Sequence, residues 1–273
     1  MGILKFSNVK IKIKMSSSWN ELSFEQVDNI AHQFHCYHEI IKDNADLLDR
    51  TTQRLYYQVA KELLRYNGWF ATRKVLKEVH PKEFVPFTKF IYESVERTKF
   101  RPHVKIKGIR YHGPDTRLRN ISIGEFSFVD AAFYQWSRTK NPVWLDVLCA
   151  SLYREISDSP SETDLRRPFV KQAVDSRADR FGKLSIKKKL GIAKSYEGCR
   201  NHIAKAFPRI FPKPVVIEGE EPPKPKKYIS FGKVILNKIE GDPSKLESSN
   251  NTNMYDFLSI IDADIDRIQK LKK

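Results

Sequence analysis

Apolar residues recur at helical spacing over most of this chain and alternate strictly only near its start. The densest agreement of local signals runs from Asn120 to Glu155. Ser122 and Glu125 form an S-x-x-E capping box flanked by Ile121 and Phe126 at staple positions, which predicts a helix start. Phe126, Val129, Phe133 and Trp136 then give it a core face, with Ala131 and Ala132 leaving room for a neighbour. Asn141 and Pro142 supply a cap and a first-turn proline for a second helix, in which Leu145, Leu148, Cys149, Leu152 and Tyr153 repeat at i, i+3, i+4, i+7 and i+8. The short connection predicts an antiparallel hairpin at the middle of a helical core.

Before this hairpin, Val9, Ile11 and Ile13 alternate with Lys10, Lys12 and Lys14, which predicts a strand with one positive, wet face. Ser23 and Gln26 form a second capping box, ahead of a helix lined by Val27, Ile30, Ala31, Phe34 and Ile41. A third helix is predicted over 45–66, with Tyr56, Val59, Ala60 and Leu63 on one face and Gly68 ending it. Shorter helices follow over 70–80 and 86–96. Between residues 97 and 120 the helical period is lost, and Val104, Ile106 and Ile109 suggest short strands that could pair with the N-terminal one. The expected class is mainly α: a body of about eight helices with a small sheet made by the N-terminal strand and this mid-chain segment.

Past the hairpin, the block 165–209 is the most basic part of the chain, and prolines from Pro208 to Pro225 mark a linker. The expected organisation is a core domain over 1–207, a linker over 208–227 and a C-terminal docking segment over 228–273. In the last helix Met254, Phe257, Leu258, Ile261 and Ile265 form a narrow apolar stripe, the expected docking face for a partner.

Charge changes the picture of the partners. Lysine and arginine number 49 against 33 aspartates and glutamates, a formal net charge of +16 that favours anionic surfaces. Arg166, Arg167, Lys187, Lys188, Lys189, Lys194 and Arg200 are the candidate contacts to phosphate or to an acidic partner. No run of about 18 apolar residues suggests a membrane span, and the chain is expected to be cytosolic where it is made. Three widely separated cysteines, Cys36, Cys149 and Cys199, read as buried thiols.

Catalytic and metal chemistry finds little support. His32, His35, Cys36 and His38 lie close in sequence, but no finger-like partner pair follows, so they read as the surface of a partly buried helix. Asp262, Asp264 and Asp266 resemble a calcium loop, yet Arg267 stands where glycine is needed; they read as a helix's polar face. Asp164, Asp175 and Glu197 read as ion-pair partners. No phosphate loop, nucleophile elbow or dinucleotide fingerprint is present, and the expectation is a non-enzyme with no cofactor.

Several segments together carry a resemblance: the opening strand with Ser18-Trp19-Asn20-Glu21-Leu22-Ser23-Phe24-Glu25-Gln26, the segment Asn120-Ile121-Ser122-Ile123-Gly124-Glu125-Phe126, Tyr196-Glu197-Gly198-Cys199-Arg200, and the tail from Phe231 to Leu258. They resemble uncharacterised tail-morphogenesis proteins of phages and prophages of Bacteroidetes-type bacteria, whose genes tend to sit near the tape-measure gene. The resemblance implies a tail assembly chaperone or a minor tail component, found in the host cytoplasm during assembly or in the virion. It implies other phage structural proteins, tape-measure or tail proteins among them, as partners in an oligomeric assembly, and it carries no catalytic residues. The alternative, read from the residues, is a nucleic-acid-binding accessory protein using the 165–209 block.

Overall fold

The computed structural model describes residues 2–6, 9–212 and 228–271. The chain is mainly α-helical, with eleven α-helices among the described residues, and divides into two compact units. The first comprises Met1–Thr98 with Ser185–Gly198, the second Lys99–Leu184 with Cys199–Lys273. The division therefore falls elsewhere than in the proline-rich stretch, most of which (213–227) lies outside the described residues.

The first unit opens with strands β1 (Gly2–Phe6) and β2 (Val9–Ile13), which pair antiparallel. The alternation in the sequence holds where β2 ends: Ile13 is buried, and Lys12 and Lys14 face solvent. Helices α1 (Phe24–Asp43), α2 (Leu48–Leu64), α3 (Trp69–Glu78) and α4 (Val85–Tyr92) follow. Helix α1 starts where predicted, because Ser23 and Gln26 complete a reciprocal capping box. Gly68, at φ 83°, separates α2 from α3 in a conformation that costs glycine least. The core gathers Trp19, Leu22, Val27, Ile30, Leu55, Val59, Leu63, Ile91 and Val95. Leu55 faces inward, whereas the predicted Tyr56 is 37% exposed.

Strands β3 (His103–Ile106) and β4 (Ile109–His112) open the second unit as an antiparallel hairpin. Lys107 and Gly108 both have positive φ, as a two-residue primed turn requires. This turn explains why the mid-chain strands pair with each other: the small sheet expected to include the N-terminal strand is in fact two separate two-stranded ladders. Helices α5 (Ile123–Thr139) and α6 (Pro142–Leu152) then form the predicted hairpin, with Asn141 capping α6. They are followed by α7 (Val174–Phe181), α8 (Ile186–Ala206), α9 (Phe231–Lys238), α10 (Leu246–Asn251) and α11 (Met254–Leu271).

Helix α8 contributes its residues up to Gly198 to the first unit and the rest to the second. Gly191 and Gly198 are two turns apart, and each lets the helix approach its neighbour. A Cβ at Gly198 would stand 2.1 Å from the Arg97 carbonyl oxygen, and one at Gly191 would stand 1.9 Å from Asp28 Oδ1.

The C-terminal segment packs on α5. Ile123 N–H donates to the Thr252 carbonyl at 2.9 Å, Met254 N–H to that of Ile121 at 3.0 Å, and the Phe126 and Phe231 rings meet with centroids 5.0 Å apart. The tail thus completes the second unit's core. No described helix is long and apolar enough to cross a membrane.

Candidate functional site

The two units use their charges differently. In the second, Glu125 does not reach back to close its predicted capping box. Ser122 Oγ accepts from the Glu125 N–H at 3.2 Å, but the Glu125 carboxylate turns inward. Arg154 Nη1 and Nη2 donate to it at 2.7 and 3.1 Å, and Arg166 Nη1 donates at 3.2 Å. All three side chains are almost fully buried. Asp164 completes the cluster, accepting from Arg166 Nη2 at 2.8 Å. The spare guanidinium donors reach the carbonyls of Ser151, Leu152, Asn120 and Arg167. Burial pulls the Arg166 pKa down, but the charges of Glu125 and Asp164 outweigh it and the net shift is up. The cluster borders a cavity of about 1050 Å³. Every charge in it has an opposite partner, so its work is to hold together strands of chain far apart in sequence.

Other predicted contact residues are also paired or buried. Arg200 Nε donates to the buried Asp130 at 2.7 Å, and the Tyr228 hydroxyl donates to the same carboxylate at 3.0 Å. Arg167 lies near Glu155 and Asp158, Lys194 Nζ bonds Glu197 at 2.8 Å, and Lys189 is buried. The 165–209 block is divided between the units: Arg166, Arg167 and Arg200 belong to the second, and Lys187, Lys188, Lys189 and Lys194 to the first. Of the seven, Lys187, Lys188 and Arg167 are the exposed ones.

Met254, Phe257 and Leu258 of the predicted docking stripe are buried in the second unit's core, because the tail folds back onto α5. Ile261 and Ile265 are half-buried, while Ile268 and Leu271 are 51% and 82% exposed. Asp262, Asp264 and Asp266 are the helix's polar face and bind Arg209, Lys238, Arg267 and Lys270. His32 and Cys36 come within 3.7 Å, and no group of three metal-ligating side chains occurs among the described residues.

The first unit carries a groove of about 950 Å³ between α1, α2, α3 and the start of α8. Two stripes line it, each an aromatic followed by two cations at i, i+4 and i+8: Tyr57, Lys61 and Arg65, then Trp69, Arg73 and Lys77. That spacing sets three side chains on one helix face about 6 Å apart. Lys187 adds a fifth cation. The two carboxylates of the lining, Glu25 and Glu62, both belong to Arg65, at 2.7 and 3.6 Å. Arg65 donates a hydrogen bond to Glu25, which raises the Arg65 pKa. Lys61, Arg73, Lys77 and Lys187 have no carboxylate partner among the described residues. The Arg73 guanidinium lies 5.3 Å from the centroid of the Trp69 ring, and that ring is 73% exposed.

No protein-family model, curated protein or solved structure matches the chain. Sequence reasoning reached Lys187 but missed the rest of the groove, whose signal was the repeated aromatic-cation-cation spacing rather than charge density.

Proposed function

We propose that the chain is a non-enzymatic bacteriophage protein of tail morphogenesis, a tail assembly chaperone or minor tail component, acting through protein–protein contacts. The resemblance of its opening, central and C-terminal segments to such proteins supports the setting. One structural observation supports the mode of action: the far end of α11 continues the apolar stripe beyond the core, through half-buried Ile261 and Ile265 to exposed Ile268 and Leu271. Met254, Phe257 and Leu258 anchor the helix, and its second half offers the partner a face. A stripe of this width suits a facing helix of a tape-measure or other tail protein.

The test pairs mass spectrometry of purified particles with co-expression of tail proteins and the Ile265→Lys/Ile268→Lys variant. Capture of a tail protein by the wild type and its loss in a variant of unchanged stability are expected. Equal capture by both, or no captured tail protein at all, would count against the reading.

A further inference from the structure

We infer that the first unit's groove is a binding site for single-stranded nucleic acid. The inference is independent of the C-terminal docking face. The groove's carboxylates are both occupied by Arg65, so Lys61, Arg73, Lys77 and Lys187 have no carboxylate partner among the described residues. A polyanion supplies that partner and releases its counterions in doing so.

The aromatic positions narrow the class of polyanion. Trp69 is 73% exposed and Tyr57 44%, and each heads a stripe of cations on its own helix. A single strand carries one flat base and one phosphate on every unit, which matches a groove that presents both rings and cations. A duplex hides its base faces in the stack and would leave both rings idle. An acidic polypeptide would meet the cations but has no ring at regular intervals for Trp69 and Tyr57. Phe70 and Tyr66, the sequence neighbours of Trp69 and Arg65, are also 72% and 63% exposed.

The decisive experiment titrates the full-length protein with a labelled oligothymidylate, reading anisotropy and tryptophan emission together. The inference predicts binding at low salt, with quenching that disappears in Trp69→Phe. Affinity should fall with salt at a log–log slope of about −3 for four phosphate contacts. Trp69→Ala should weaken binding about tenfold or more. The Lys61→Gln/Arg73→Gln/Lys77→Gln/Lys187→Gln variant should flatten the salt dependence and abolish binding at moderate salt. Lys188→Gln, an exposed lysine outside the groove, should bind as the wild type does. Absence of binding at low salt, or binding indifferent to Trp69 and to the four cations, overturns the inference. So does polyglutamate, or a duplex of the same length, competing as well as the single strand with the same dependence on Trp69. All these substitutions are at exposed side chains, and unchanged urea unfolding of each variant separates lost binding from lost folding.

Discussion

The Glu125 cluster of the second unit and the groove of the first hold cations in opposite ways. In the second, Arg154 and Arg166 are nearly 100% buried around Glu125, and Arg200 reaches the buried Asp130. In the first, Lys61, Arg73, Lys77 and Lys187 stand at the surface around a groove whose carboxylates are already taken. Buried charges must be paired or the fold loses several kcal/mol, whereas exposed charges contribute little to stability. A count of arginines and lysines along the chain cannot separate these cases. Pairing and burial can, and they move the candidate binding surface from 165–209 to α2 and α3.

Predicted effects follow the same contrast. The largest is Glu125→Ala, which leaves the buried Arg154 and Arg166 to share the single carboxylate of Asp164; it should cost about 3–5 kcal/mol in urea unfolding. A loss under 1 kcal/mol would show that the cluster does not hold the second unit. Next is Gly198→Ala, whose methyl would run into the Arg97 backbone rather than a movable side chain. About 1–3 kcal/mol is expected, and a neutral outcome would contradict the close approach of α8 in the first unit. Asp130→Ala removes the acceptor of both Arg200 and Tyr228 and should cost about 1–3 kcal/mol. Lys61→Gln and Lys77→Gln should each leave stability within about 0.5 kcal/mol of the wild type.

The smallest effect concerns pH. Burial lowers the His32 pKa below the usual 6.5, and the positive charge of Lys187 adds to it. On acidification the unfolded chain therefore binds the proton first. The stability contributed by neutral His32 is complete above about pH 6.5 and is lost as pH falls through the lower folded value. Thermal unfolding of His32→Gln should vary less between pH 7 and pH 5 than that of the wild type. Equal slopes would mean that His32 titrates alike in both states.

Local signals carried much of the fold. The Ser23–Gln26 box, the Asn141–Pro142 start and the Ile13 alternation all act within a few residues, and each appears where predicted. What the sequence hid depends on distance along the chain. Glu125 has the spacing of a capping glutamate, and only the arrival of Arg154 and Arg166 turns it inward. Met254, Phe257 and Leu258 read as a free stripe because nothing in their periodicity says that the tail will fold back onto α5. The groove was legible in principle, as two aromatic-cation-cation stripes, but the denser charge of 165–209 outweighed that spacing.

The second unit's buried charge cluster is built to hold the fold, and the first unit's groove cations are arranged for binding. Urea unfolding and oligothymidylate anisotropy on two variants test this division together: Glu125→Gln, and the combined Lys61→Gln/Arg73→Gln/Lys77→Gln/Lys187→Gln. The expected result is a destabilised second unit for Glu125→Gln, and for the groove variant wild-type stability with binding lost. A groove variant that binds as the wild type does, or that unfolds while Glu125→Gln stays stable, would contradict it.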